Sequence, residues 1–355
     1  MGRLLVLAST LAACNFSLPG GAAQQDATGP GSDAPMIDMP PVTPAWAFKR
    51  KLTIQNTGLG AHAQLAVAVF LDATRINYAA TLPGGADLRF SDAGGTTLAH
   101  EIEVWEPGGR SLVWVDIPSI AANTTTDFFM FYGNPQATDG QNPAAVWDAD
   151  FVGVWHLADA HESSTRLVST DVNSTPVLGQ LGPARQFSGA GQYIDTGSQQ
   201  YLTTWTVEAW MNPATQSLNT GAGAVVSGFP NYLILWNCIT STFCHTVLYN
   251  DSNSSNFVSF TANVGAWNYV AGTYDGTTLR SFFGATSTVS QTFVDDPVAA
   301  TATTKIATHA NLNGDYNGGI DEVRISRTAR SSDYVNAQRR SQTDTYLAYG
   351  DEEAN

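Results

Sequence analysis

Gly319-Ile320-Asp321-Glu322-Val323-Arg324-Ile325-Ser326-Arg327-Thr328-Ala329-Arg330 closes the series of phrases that decides the fold. Ahead of it stand Phe187-Ser188-Gly189 with Tyr193-Ile194-Asp195-Thr196-Gly197, and then Trp205-Thr206-Val207-Glu208-Ala209-Trp210-Met211-Asn212-Pro213. Trp267-Asn268-Tyr269-Val270-Ala271-Gly272-Thr273-Tyr274-Asp275-Gly276 lies between. Each phrase reads as a strand with a turn. Short strands at such intervals predict an all-β sandwich, not a helical bundle. Composition agrees. Charged residues make up only 13% of the 355, and Gly, Thr, Ser and Asn are common. That length predicts two domains or three. The net charge of −15, without a clustered Lys/Arg patch, argues against a nucleic-acid partner.

In this order and spacing the phrases resemble the LamG-like, concanavalin A-like jelly-roll domain. The resemblance places that domain at residues 150–353. Phe151-Val152-Gly153-Val154-Trp155-His156-Leu157 is its usual first strand, and Tyr346-Leu347-Ala348-Tyr349-Gly350 reads as a last strand returning beside it. One short helix is expected, capped by Ser331 or Ser332, with Tyr334, Val335 and Gln338 following at helical spacing. The superfamily contains lectins, adhesion modules and glucanases, so the fold alone does not fix the function.

Residues 45–149 form a first unit. Leu65-Ala66-Val67-Ala68-Val69-Phe70-Leu71 alternates large and smaller side chains, as a strand with one buried face does. Asp127-Phe128-Phe129-Met130-Phe131-Tyr132 is apolar on both parities and reads as a central strand. Pro83-Gly84-Gly85, Asp92-Ala93-Gly94-Gly95 and Pro107-Gly108-Gly109 mark turns. A second β-sandwich follows. Lys49-Arg50-Lys51-Leu52-Thr53-Ile54, Gly85-Ala86-Asp87-Leu88-Arg89-Phe90, Val113-Trp114-Val115 and Phe131-Tyr132-Gly133-Asn134 resemble DUF2341, a bacterial module of unknown function that often precedes LamG-like domains. That resemblance carries no catalytic assignment.

The amino terminus reads as an export signal. Arg3 is followed by an apolar run, Leu4 to Ala13, too short to span a bilayer. Leu11-Ala12-Ala13-Cys14 resembles the lipobox of bacterial lipoproteins, which implies a signal peptide over 1–14 and a lipid-modified Cys14. Under the enteric sorting rule, Asn15 points to the outer membrane. Residues 15–44 hold Gly, Pro, Ala, Asp and Ser with few large apolar side chains. They read as a disordered tether with a reach of roughly 30 Å. With Cys14 lipidated, Cys238 and Cys244 remain, and an exported chain matures where a short disulfide loop forms.

Catalytic chemistry is sparse. A glucanase on this fold shows acids alternating on one strand as Glu-x-Asp-x-x-Glu, because retaining hydrolysis needs two carboxyls about 5 Å apart. Here the matching strand offers Glu208 alone. Glu101, Glu103 and Glu106 belong to the other unit, and alternation of that kind usually marks a solvated strand face. The six His are scattered. The expectation is no enzymatic activity. LamG-like domains often hold one calcium at the sandwich rim; Asp321 and Asp159 are the candidate ligands by that resemblance. The alternative for Asp321 is a carboxylate bonded to loop amides, with Glu322 paired to Arg324 on the same strand face. Glycan sites combine an aromatic platform with Asn, Asp and backbone donors. Trp236, Tyr249 and Asn250, near the cysteine pair, have that mixture. The functional expectation is therefore a cell-surface lipoprotein that binds an extracellular glycan. The alternatives are an envelope-protein scaffold and a divergent glycosidase.

Overall fold

The computed structural model describes residues 46–355 except 165, 215–222, 229–230, 237–242, 250–254, 285–286, 294–297 and 300. Cys14, the tether, Cys238 and Asn250 lie outside the described residues. The first strands are β1 (Phe48–Gln55), β2 (Leu65–Leu71), β3 (Arg89–Asp92), β4 (Thr97–Leu98), β5 (His100–Val104), β6 (Ser111–Ile117) and β7 (Thr125–Tyr132). A one-turn helix α1 (Pro143–Val146) precedes β8 (Phe151–Trp155), β9 (Thr170–Val172), β10 (Thr175–Leu178), β11 (Pro183–Ser188) and β12 (Tyr193–Asp195). Next are β13 (Trp205–Pro213), β14 (Gly223–Gly228), β15 (Tyr232–Trp236), β16 (Phe243–Tyr249) and β17 (Ser255–Thr261). The chain continues through β18 (Asn268–Tyr274), β19 (Thr278–Phe283), β20 (Ser287–Thr292), β21 (Lys305–Ile306), β22 (Asn317–Ser326), α2 (Ser332–Gln342) and β23 (Leu347–Ala354).

The strands form four sheets, ordered β23-β1-β7-β3-β4, β2-β6-β5, β10-β11-β22-β13-β18-β19-β20 with β8 also on β22, and β17-β16-β15-β14-β21-β12-β9. Three apolar cores lie between them. The first sandwich encloses Leu52, Ile54, Val67, Val69, Val113, Val115, Phe128 and Met130. The second encloses Trp155, Trp205, Val207, Met211, Val226, Val270, Ile320, Val323 and Ile325. The third core is the seam between the sandwiches, built from the opposite parity of the two facing sheets: Ala66, Ala68, Phe70, Leu112 and Trp114 against Phe151, Val154, Trp210, Tyr269 and Phe282. Burying each large side chain there contributes about 2 kcal/mol. The two sandwiches therefore make one compact unit over Pro44–Asn355.

The seam explains two departures from the sequence reading. First, β2 is buried on both faces, not one. Its small residues Ala66 and Ala68 let α2 approach, so that the Gln338 amide donates to the Ala66 carbonyl at 3.2 Å and the Ala68 N–H donates to Ser341 Oγ at 2.6 Å. Second, the carboxy-terminal strand does not return beside β8. β23 pairs antiparallel with β1, with Phe48 opposite Ala354 and Ile54 opposite Leu347. Its alternation makes it a strand but does not name its partner. A boundary of 150–353 thus assigns α2 and β23 to the wrong sandwich. The helix itself starts where expected: Ser331 Oγ accepts from the Tyr334 N–H at 3.1 Å, and Tyr334, Val335 and Gln338 are buried. β7 is central, between β1 and β3. Its outer Phe129 ring is covered by Lys49, whose Nζ stands 4.2 Å from the centroid.

Candidate functional site

Beside the seam core lies a cluster of charged side chains, assembled by a bulge in β22. Across β13 and β22, Glu208 faces Arg324 and Trp210 faces Asp321, so Glu322 and Val323 together oppose Ala209. Glu322 has φ +54°, the left-handed region that costs a non-glycine residue about 1–2 kcal/mol. This slips the strand's alternation by one position. Ile320, Val323 and Ile325 still enter the second core, while Asp321, Glu322 and Arg324 are all directed away from it. Leu157, at φ +66°, turns the chain immediately after His156.

His156 is the hub. Its Nδ1 lies 2.7 Å from Glu322 Oε1 and 3.2 Å from Glu103 Oε2, and its Nε2 lies 3.5 Å from Glu101 Oε2. Trp114 Nε1 donates to Glu103 Oε2 at 2.7 Å, and Trp147 Nε1 donates to Glu101 Oε2 at 3.0 Å. Arg324 donates through Nη2 to Glu322 and through Nη1 to Gln338 Oε1 at 3.2 Å, and stands 3.8 Å from Glu208 Oε1. Its guanidinium carbon sits 4.4 Å from the Trp114 ring centroid. The Tyr269 hydroxyl donates to Glu208. Asp321 Oδ2 accepts from the Gln180 and Leu181 amides at 2.8 and 3.0 Å. The β10–β11 hairpin seals this end so closely that a Cβ on Gly182 would stand 2.7 Å from Glu103 Oε1.

Burial opposes charge on every member, and neighbouring charges decide the outcome. Burial alone would lower the His156 imidazole, but Glu322, Glu103 and Glu101 hold it well above its usual range. Burial would raise Glu101, and His156 with its hydrogen bonds brings it to about 2. Glu322 is likewise lowered against burial by His156 and Arg324. Glu103 and Asp321 are pushed well up, by burial first and by the Glu322 charge second. The Tyr269 phenol is raised by burial and by Glu208.

Above this network a cleft of about 460 Å³ opens along the segments that cross between the sandwiches. Asp148 and Asp150 line it, with Arg330, Gln64, His62 and Tyr334. Arg330 donates to Asp148 Oδ1 at 2.7 Å and places its guanidinium carbon 4.6 Å from the Tyr334 ring centroid. Gln338 Nε2 meets the Tyr334 hydroxyl at 3.4 Å, which links the cleft to Arg324.

The residues singled out in the sequence fall elsewhere or play other roles. Trp236 pairs with Cys244 at one end of the β15–β16 ladder, and Tyr249 pairs with Ser255 beyond its other end. Five residues of strand, about 17 Å, separate the two backbone positions. Cys244 is wholly buried in the second core. Asp159 is exposed, and its Oδ1 accepts from the His161 amide at 2.6 Å, whereas Asp321 is wholly buried on loop amides. Glu101 and Glu103 are not on a solvated face: their side chains are 10% and 2% exposed. Their alternation on β5, facing the seam, and the His156 that follows β8 are the sequence signals that mark the network.

Residues 84–163 match the model of DUF2341, a domain of unknown function, and residues 188–336 match that of the concanavalin A-like lectin/glucanases superfamily. The chain joins a DUF2341 region to a concanavalin A-like domain. The DUF2341 match runs past the first sandwich through β8, so it contains Glu101, Glu103, Trp114, Trp147 and His156, while the concanavalin A-like match contains Glu208, Asp321, Glu322 and Arg324. No curated protein matches. Domain 4 of AbnA, a GH43 extracellular arabinanase from Geobacillus stearothermophilus solved with arabinotriose, is 18% identical with a TM-score of 0.44, covering 54% of this chain and 100% of that one. The binding domain of Paraclostridial Mosquitocidal Protein 1 is 10% identical with a TM-score of 0.46, covering 54% of this chain and 52% of that one. The botulinum neurotoxin serotype D binding domain is 11% identical with a TM-score of 0.44, covering 54% and 52%. At these values the three carry nothing about ligand or activity here.

Proposed function

We propose that the protein is an exported, lipid-anchored binding protein that holds an extracellular glycan and does not cleave it. The observation that carries this reading is the state of Glu208, the one acid on the strand where a glucanase of this fold keeps its catalytic carboxylates. It is 3% exposed, accepts from the Tyr269 hydroxyl and faces Arg324. A glycosidase must bring one carboxyl to the leaving oxygen and a second to the opposite side of the sugar. A carboxylate held between two interior partners does neither. The match to a superfamily that contains lectins supports the glycan. The seam cleft offers carboxylates, an amide and a guanidinium, groups that hydrogen-bond sugar hydroxyls. No helix among the described residues is long and apolar enough to cross a membrane. The proposed attachment is the lipid at Cys14, on the outer membrane or cell surface.

A glycan array on the full mature protein tests the reading. Asp150→Ala and Gln64→Ala should each weaken the best ligand about tenfold if the cleft holds it, whereas Trp236→Ala should do so if the β15–β16 hairpin holds it. Glu208→Gln and wild type should both leave the polysaccharide intact. Oligosaccharide release by wild type, abolished in Glu208→Gln, would make the protein an enzyme. An empty array beside capture of an envelope protein would assign it to scaffolding instead.

A further inference from the structure

We propose that Glu103, His156 and Glu322 form a divalent transition-metal site that joins the two sandwiches across their seam. Glu103 comes from β5 of the first sandwich, His156 follows β8 and Glu322 sits on the β22 bulge. One ligand atom from each lies within 4.8 Å of the other two. The shortest separations, 2.7 and 3.2 Å from His156 Nδ1, need to open by about half an ångström at most to match the edges of a tetrahedron with zinc bonds near 2.0 Å.

The orientation of the imidazole is the first support. Nε2 faces Glu101 Oε2, itself fixed by Trp147 Nε1. When the imidazole gives up its Nδ1 proton to a metal and keeps the one on Nε2, the Nδ1 lone pair faces Glu322 and Glu103, 2.7 and 3.2 Å away. This is the arrangement in which a carboxylate orients a histidine on a metal. Trp114 fixes Glu103 and Arg324 fixes Glu322, so each ligand is aimed by a donor outside the triad.

The second support is independent of these bonds. Glu103 Oε1 has no hydrogen-bond donor, on a side chain 2% exposed. A buried carboxylate oxygen left without a donor is costly, and a cation bound by that carboxylate satisfies it. One imidazole nitrogen among carboxylate oxygens selects zinc or a neighbouring transition ion over calcium, which takes six to eight oxygens. With the three side chains at 2%, 8% and 0% exposure, the ion would be structural and would enter as the sandwiches close.

The test unfolds the full mature protein in guanidinium with a chelator, then refolds it with no metal, with Zn²⁺ or with Co²⁺. The expected result is one zinc per chain by mass spectrometry after gel filtration, a higher thermal midpoint than the metal-free refold, and visible Co²⁺ absorption. Glu322→Gln and Glu103→Gln should lower metal affinity by about a hundredfold, and Glu101→Gln, which reaches only His156, by about tenfold. His161→Ala, an exposed histidine, should change nothing. Should a variant not fold, wild-type stoichiometry and the Co²⁺ spectrum still decide. A wild type that refolds to the same midpoint without metal and retains no zinc overturns the proposal, as does Co²⁺ uptake that survives Glu322→Gln.

Discussion

Tyr346→Phe removes a single oxygen, and its effect tests whether the carboxy-terminal segment belongs to the first sandwich. Tyr346 is wholly buried, and its hydroxyl donates to Asn56 Oδ1 at 2.7 Å. Asn56, also wholly buried, spends its amide protons on the carbonyls of Gly60 at 2.9 Å and Ala121 at 2.7 Å. Without the hydroxyl, the Asn56 oxygen is sealed away from water with its donor gone. The ring remains, so the packing loss is small and the cost is that of an orphaned acceptor, about 1–3 kcal/mol. A central value of about 2 kcal/mol lowers the thermal midpoint by about 3 °C in a chain of this size. Asn56→Ala should cost more, because it also strands two loop carbonyls. The double variant should fall short of the sum by about 1–2 kcal/mol, since both changes break one bond. Urea unfolding of the four proteins, with Tyr201→Phe as the 54% exposed control, gives the cycle. Additivity within about 0.5 kcal/mol, or a Tyr346→Phe midpoint equal to that of Tyr201→Phe, would refute the placement.

Other outcomes follow from the same structure. Burial, with Arg89 nearby and Asp139 opposing, pushes the His100 imidazole from 6.5 to about 4. The folded value lies below the unfolded one, so stability is complete above about pH 6.5 and falls by about 3 kcal/mol as pH drops to 4; His100→Gln should flatten that limb, and an unchanged acid profile would count against it. Arg324→Met leaves Glu322 and Glu208 without their guanidinium and should cost about 3–5 kcal/mol in urea unfolding; a loss under about 1 kcal/mol would show that the carboxylates do not depend on it. Intact mass of the native protein should show loss of residues 1–13 with acyl mass on Cys14, and Cys14→Ser should release the protein; a soluble product with an unmodified thiol would end the lipoprotein reading. Non-reducing peptide maps should recover Cys238 and Cys244 in one linked species, and two freely alkylated thiols would exclude the bond.

The sequence carried the strands well because alternation, turn residues and a capping serine are local. Ser331 and the buried Tyr334, Val335 and Gln338 are where helical spacing placed them. Leu65–Leu71 was legible as a strand but not as one buried twice, because Ala66 and Ala68 face a neighbour some 270 positions away. Asp321 on loop amides and Glu322 beside Arg324 were legible as one of two readings, since positions 322 and 324 share a face at a period of two. Local pattern did not show that a bulge turns Asp321 to that same face, because no residue type announces a left-handed Glu322. Glu101 and Glu103 read as solvated because their cover, Trp147 and His156, arrives from beyond the first sandwich. Local pattern gives elements and faces; a partner supplied from far along the chain has to be seen.

The pairing of β1 with β23 also sets the order in which the molecule can be finished. Until residues 347–354 have been synthesised, the sheet begun by β1 has an open edge, although all its other strands are made by Tyr132. The second sandwich has its last strand at Ser326, so the lobe made later is the one able to close first. Completing the first sandwich therefore waits on contacts of very long sequence separation, which are slow to form. During that wait the exposed edge could recruit the same strand from another chain. It carries Lys49, Arg50 and Lys51 in succession, and a row of cations repels its own copy. Glu353 and Glu352, opposite Lys49 and Arg50, make the proper partner the one with matching charge.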